Sequence, residues 1–264
     1  MKTLEPICSR DNPRVKEYCK LGSGKQARRK LEKFVLEGTR LCEEALLSGI
    51  TVEYAFVTEA WCNTHIKTLS MLENANISVF QISEPVEKRI SETSGPQGIY
   101  FVCPLICQIE FEKLTKMEKI LCLYDIQDPG NLGTMIRSAD AFGFDAVVLS
   151  QTSCDLFSPK TLRSTMGSIF HLPYYIAADM SVFEKVMAEH DKISAAAVVT
   201  NANLQVGCCN LPEIHLLYIG NEGNGLPRDF ADACRYRITL PMKGKAESLN
   251  AAMAASILMW ELTK

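Results

Sequence analysis

With 264 residues, 47% hydrophobic and 22% charged, the chain has room for one large or two modest globular domains. No apolar stretch nears the ~20 residues that cross a bilayer, so a membrane span is excluded. No secretory apolar run is evident either, and a cytoplasmic location is expected. The net charge of −3 hides an asymmetry: residues 1–40 carry 11 Lys/Arg against 5 Asp/Glu, the remainder 17 against 26. A basic leading segment points to a polyanion contact at one end, or to a solvated basic helix. Eleven cysteines, odd in number and without a Cys-x-x-Cys pair, read as reduced thiols. Cys103 and Cys107 are isolated and Cys208 and Cys209 adjacent. With four scattered histidines, no metal site is expected.

Residues 1–33 are polar and basic. One helical stretch starts at Asn12-Pro13-Arg14, and a second, across 25–33, carries Arg28, Arg29, Lys30 and Lys33. From Phe34 the character changes. Strands at 34–36, 54–57, 77–80 and 99–102 alternate with helices at 38–47, 65–73 and 85–91, which describes a small α/β domain over 1–103. Residues 104–119 read as a linker with a short charged helix. A second series fills 120–264, with strands 120–125, 145–150, 193–199, 214–219 and 236–241 and helices 131–143, 181–190 and 248–262. This α/β alternation predicts a mostly parallel sheet covered on both faces.

Three loops of the second series stand out. The stretch Ile219-Gly220-Asn221-Glu222-Gly223-Asn224-Gly225-Leu226 places three glycines and one carboxylate after a strand. Glycine lets backbone N–H groups approach a ligand, although a tight turn needs the same residues. The stretch Asn131-Leu132-Gly133-Thr134-Met135-Ile136-Arg137 follows strand 120–125. Asn131 stands as an N-cap there, and Arg137 either serves a ligand or pairs with Asp140. The stretch Leu240-Pro241-Met242-Lys243-Gly244-Lys245-Ala246-Glu247-Ser248-Leu249-Asn250 opens the last helix with Ser248 as the expected N-cap. Leu249, Met253, Ile257 and Trp260 mark one face expected to be buried. Loops at the C-terminal ends of parallel strands converge on one crevice, which would gather Asn131, Arg137, Glu222, Ser248 and Asn250.

Taken jointly, NLGTMIRSADAFG, IGNEGNGL and LPMKGKAESLNAAMAASI resemble the three motifs of the SpoU (TrmH-type) RNA ribose 2′-O-methyltransferases of the SPOUT class. Residues 160–168 look like that family's connecting stretch. Residues 1–102 more loosely resemble its substrate-binding domain, in Asn12-Pro13-Arg14-Val15-Lys16, Phe34-Val35-Leu36-Glu37-Gly38 and Pro96-Gln97-Gly98. The resemblance implies a catalytic domain over 120–264 with a deep trefoil knot, a homodimer built through it, and S-adenosylmethionine as methyl donor. By motif position, Gly220, Leu240 and Leu249 would hold the donor, with Thr200, Asn221 and Met242 as neighbours.

A ribose 2′-hydroxyl must lose a proton before it attacks a methyl group, so alignment and proton removal are the protein's tasks. The resemblance gives Arg137 the base role, yet a guanidinium does not normally deprotonate. Clamping the phosphate beside the target ribose suits it better. Glu222 and Asn131 would fix that loop, and Ser248 and Asn250 would shape the pocket. Arg28, Arg29, Lys30 and Lys33 would meet RNA phosphates, with ribosomal RNA preferred over transfer RNA. Two rivals remain. A dehydrogenase is disfavoured because the glycines run G-x-x-G-x-G after a late strand. An inactive RNA-binding protein of the same fold would bind no donor.

Overall fold

The computed structural model describes residues 5–207 and 211–264; Cys208 and Cys209 fall outside them. In chain order come β1 (Glu5–Ile7), α1 (Pro13–Ser23), α2 (Lys25–Leu31), β2 (Lys33–Glu37), α3 (Thr39–Leu47) and β3 (Tyr54–Val57). Then follow α4 (Glu59–Thr64), α5 (Ile66–Asn74), β4 (Ser78–Ile82), α6 (Glu84–Ile90), β5 (Ile99–Pro104), α7 (Phe111–Leu114) and β6 (Ile120–Leu123). The chain continues through α8 (Pro129–Ala141), β7 (Ala146–Ser150), α9 (Pro159–Thr165), β8 (Tyr174–Ala177), α10 (Met180–Glu189) and β9 (Ser194–Ala197). It ends with β10 (Leu204–Gln205), β11 (Leu216–Ile219), α11 (Arg228–Ala233), β12 (Tyr236–Thr239) and α12 (Ala251–Glu261). The short elements β1, α4, β8, β10 and α11 carry too few residues for a periodic signal, and sequence reading passes over them.

These elements form two compact units, 1–106 with 155–170 and 107–154 with 171–264. In the first, the sheet order is β1-β4-β3-β5-β2, with β1 and β3 parallel to β4 and β5 antiparallel to both β3 and β2. Asn12 starts α1 by accepting the Arg14 N–H, and Pro13 follows at N1, where its missing N–H costs nothing. Tyr18, Phe56, Tyr100 and Val102 centre the core beneath. The segment 155–170, expected to continue the second series, packs in this unit. Asp155 pairs there with Arg28, and Phe157 packs at a tilt against Phe34.

In the second unit seven strands run in the order β10-β12-β9-β11-β6-β7-β8, and every pairing is parallel. All four residues of β6 and of β11 are buried, as strands covered on both faces must be, which explains their continuous apolar runs. The crossover from β8 to β9 and the insertion of β11 between β6 and β9 put a change of winding direction at the sheet centre. Such a switch point opens a crevice outside the carboxyl ends of the strands.

Under this sheet lies one costly group. Glu184 on α10 is buried, and its Oε1 accepts from the Ser194 hydroxyl, while Oε2 and the buried Tyr218 hydroxyl interact with each other without a well-formed hydrogen bond. Burial pushes the Glu184 carboxyl above its ordinary value, and the Ser194 and Tyr218 hydroxyls only partly oppose that. A raised folded-state value means that the stability it lends is complete in acid and is lost as pH rises through that value. Glu184→Gln keeps an acceptor for Ser194 and removes the ionisation that burial penalises. It is therefore expected to gain roughly 1 kcal/mol over the parent at pH 8, with the gap closing by pH 4 in urea melts. A constant gap across that range would refute the assignment.

Candidate active site

Three loops at the carboxyl edge of the central strands are knitted together by side chains. Asp128, not Asn131, caps α8: its Oδ1 accepts the Asn131 N–H at 2.8 Å, and Pro129 takes N1. The Asp-Pro-Gly run carries that signal in the sequence. Asn131, in the first turn, is thereby released to point its amide outward. Its Nδ2 donates to Glu222 Oε1 at 3.1 Å, and its Oδ1 accepts from Asn250 Nδ2 at 3.0 Å. Likewise Asn250, not Ser248, caps α12, its Oδ1 accepting from Ala252 and Met253 N–H. Asn131, Glu222 and Asn250, more than ninety residues apart in pairs around Asn131, thus form one chain of hydrogen bonds.

Glu222 anchors this chain. Its two carboxylate oxygens also accept the Gln127 and Asp128 backbone N–H groups at 3.1 and 3.0 Å. Burial works to raise its carboxyl, but the Asp128 N–H, the Asn131 amide and the Gln127 N–H outweigh that and hold it below the ordinary range. It is a carboxylate at neutral pH, and as such it is the acceptor these donors need.

The glycine loop is shaped by contacts within it and with β6. Gly225 N–H donates to the Asn221 carbonyl at 2.8 Å, and Gly225 takes a φ of +67°. Asn221 Oδ1 accepts from Gly223 and Asn224 N–H, while its Nδ2 donates to the Asp125 carbonyl. The Asn221 side chain and carbonyl are therefore both occupied in shaping the loop. Asp125, at a φ of +57° just past β6, is held by Ser150 Oγ at its N–H and by the Gln127 amide at its carboxylate. Asp125 and Gln127 are absent from the expected site because nothing in their spacing distinguishes them from ordinary turn residues.

Beside this network lies a cleft of about 540 Å³, within the range of small-molecule sites. Thr200, Gly220, Asn221, Leu240, Met242 and Leu249 all line it, as do Glu222 and Ser248. Met242 and Leu249 are 37% and 41% exposed, and Val199, another wall residue, 62%. Large apolar side chains left open around a concave site suit the faces of a flat ring system such as an adenine. Residues 241–250 are exposed throughout.

The structure corrects several expectations. Arg137 is exposed, pairs with no described residue, and is absent from the cleft wall; Asp140 pairs with His171 instead. Arg28 is buried, its guanidinium held by Asp155 and by the Leu21 and Gly22 carbonyls, so it is no surface phosphate ligand. Lys33 is held between Glu17 and Glu53. Arg29 and Lys30 are exposed and unpaired among the described residues. The stripe Leu249, Met253, Ile257 and Trp260 is exposed, not buried. The buried face of α12 is Ala252, Ala255, Leu258 and Met259, and Ser256 bonds Ser138 on α8. The helix is apolar around most of its circumference, so spacing could not choose between its faces.

Among the described residues one group of metal-type ligands occurs, Glu118, Glu213 and His215. His215 Nδ1 faces the Ile193 N–H at 3.1 Å and must accept there, so Nε2 carries the ring proton toward the carboxylates. A metal would require that nitrogen's lone pair, and this donor set does not offer it.

The chain belongs to the SpoU rRNA methylase family, whose description matches residues 118–260; an MRM3-like substrate binding domain matches residues 12–100. It is 38% identical to the 23S rRNA (guanosine(2553)-2'-O)-methyltransferase RlmP of Bacillus subtilis (strain 168), over 98% of this chain and 99% of that protein. A crystal structure of an RNA 2'-O ribose methyltransferase matches with a TM-score of 0.82 at 30% identity, covering 97% of each chain. The AdoMet-bound rRNA methyltransferase from Sinorhizobium meliloti matches with 0.81 at 26% identity, covering 98% of this chain and 97% of that one. The protein is an RNA 2′-O-methyltransferase that uses S-adenosylmethionine. No helix among the described residues is long and apolar enough to cross a membrane.

Proposed function

We propose that the protein methylates a ribose 2′-hydroxyl of ribosomal RNA, with the donor in the cleft beside the glycine loop and the target nucleotide over the Asn131–Glu222–Asn250 network. The observation that carries this reading is that network, which ties all three motif loops into one rim. When bound, S-adenosylmethionine supplies a methyl group already activated on sulfur. The chain's own residues hold and orient. The glycine loop and residues Leu240, Met242 and Leu249 line the donor's cleft, with Val199, Met242 and Leu249 offering it apolar surface. Arg137 stands ~9 Å along α8 from Asn131 with an uncommitted guanidinium. It keeps its proton and clamps the phosphate next to the target ribose, and the hydroxyl proton leaves to that phosphate or to water. Arg29 and Lys30 add salt-dependent phosphate contacts.

Ribosomal RNA is preferred because the Bacillus subtilis relative named above acts on it and matches nearly the whole chain. The test is to map ribose methylation in RNA from a deletion strain against its parent; unchanged ribosomal RNA would sink the assignment. Within that reading, Arg137→Ala is expected to bind donor within twofold of the parent while methyl transfer drops about a hundredfold. Activity retained in that variant would remove Arg137 from the reaction.

A homodimer through the second unit accounts for the stripe of α12. Met253, Ile257 and Trp260 stand 56%, 36% and 52% exposed, an unusual outlay of apolar surface for a lone chain. Met253→Asp is expected to sediment as a monomer at micromolar concentration, where the parent sediments at twice that mass. A monomeric parent would rule the dimer out.

A further inference from the structure

One wall of the cleft is built from a turn that belongs to none of the three motifs. After β9 the chain passes through Val198 to Asn203 before β10, and Asn201 sits at a φ of +59°, a conformation that costs a non-glycine residue unless its surroundings impose it. Arg237, in the middle of β12, bonds this turn. Its Nε donates to the Asn201 carbonyl at 2.8 Å and its Nη1 to Asp232 Oδ1 at 3.0 Å. Its backbone N–H donates to Asn203 Oδ1 and its carbonyl accepts the Asn203 N–H, at 2.8 and 3.0 Å. Asp232, on α11, also faces Arg228 at 3.8 Å. Val199, Thr200, Asn201, Asp232 and Arg237 all line the cleft.

We propose that Arg237, braced by Asp232, is a positioning residue for the methyl donor. By gripping the Asn201 carbonyl it holds the turn Val199–Asn201 in the shape of a donor-facing wall. The inference rests on the reading of this cleft as the donor site. A guanidinium suits the task because its rigid planar fork fixes the directions of Nε and Nη1 toward their two acceptors, whereas an ammonium on a flexible stem sets neither direction. Without the grip the turn relaxes to several shapes, and the donor must order it on binding, which weakens affinity without touching RNA contacts. Val199, 62% exposed, is the residue whose placement suffers most, since no packing of its own fixes it.

The test uses the full chain with Arg237→Lys, Asp232→Ala and Asp232→Asn. Calorimetry reads donor affinity with S-adenosylmethionine, filter binding reads RNA affinity, and hydrogen exchange without donor reads residues 198–203. Arg237→Lys is expected to raise the donor Kd about tenfold, speed exchange in that turn, and leave RNA affinity unchanged. Asp232→Ala is expected to raise it about threefold, and Asp232→Asn, which still offers Oδ1, to restore it. Faster exchange with unchanged donor affinity would overturn the proposal, as would a loss of donor and RNA binding together. If the parent itself bound no donor, the cleft assignment would fail and this inference with it. That outcome is distinguishable because the variants would then still differ from the parent in exchange.

Discussion

Gly220→Ala is expected to abolish measurable donor binding in a protein that still folds. A Cβ at that position would lie 2.3 Å from the Gly225 carbonyl carbon and 2.4 Å from the Leu226 nitrogen, both backbone atoms. Neither can retreat without breaking the 2.8 Å bond from Gly225 N–H to the Asn221 carbonyl that closes the loop. The overpacking is expected to cost about 1–3 kcal/mol of stability. Circular dichroism would confirm the fold, and calorimetry would show affinity down by a hundredfold or more. Gly223→Ala is the control, since its Cβ would meet nothing nearer than Asn221 Oδ1 at 3.6 Å, an ordinary contact. Equal losses in the two variants would show that the tight crossing at Gly220 is not what shapes the donor floor.

Glu222→Ala has the second large expected effect. It leaves the Gln127 and Asp128 N–H groups and the Asn131 amide without their acceptor, and the three loops lose their common anchor. The methyl-transfer rate is expected to fall on the order of a hundredfold through misplacement alone. Glu222→Gln should rescue little, because its NH2 would confront a backbone N–H where a carboxylate oxygen now accepts. The pH dependence has a definite sign. A carboxyl held below its ordinary range stabilises the loops at any pH above that range, and the contribution is lost only as pH falls through the depressed value. Single-turnover rates between pH 5 and 8 should therefore show no step from this group. A rate for Glu222→Ala within threefold of the parent would contradict the anchoring role.

Much of the second unit is legible in the chain because its signals are local. Parallel strands buried on both faces read as short apolar runs, and β6, β7 and β11 fall where such runs occur. The caps were misread by two or three residues for a physical reason: Asn131 and Ser248 are good capping residues, but Asp128 and Asn250 have the geometry, and only the turn preceding the helix decides which side chain reaches the open N–H groups. Arg28 reads as a surface cation in the sequence, yet it is buried against the distant Asp155; a charge this buried needs a partner, and partners far apart in sequence leave no spacing to read. Arg237 is hidden because it is a polar residue in a half-buried strand whose acceptors, Asn201 thirty-six residues away and Asp232 five away, lie on two other segments.

The sequence by itself determined the two-part α/β layout, the three polar loops and the residue types they bring, because periodicity and turn chemistry act over a few neighbouring residues. Tertiary structure alone decided that β11 lies between β6 and β9, that Asn131 spans from Glu222 to Asn250, and which face of α12 is covered. Those choices depend on which surfaces meet when segments that are not neighbours in the chain are packed together. The free energy of that meeting belongs to pairs of segments and to neither one alone.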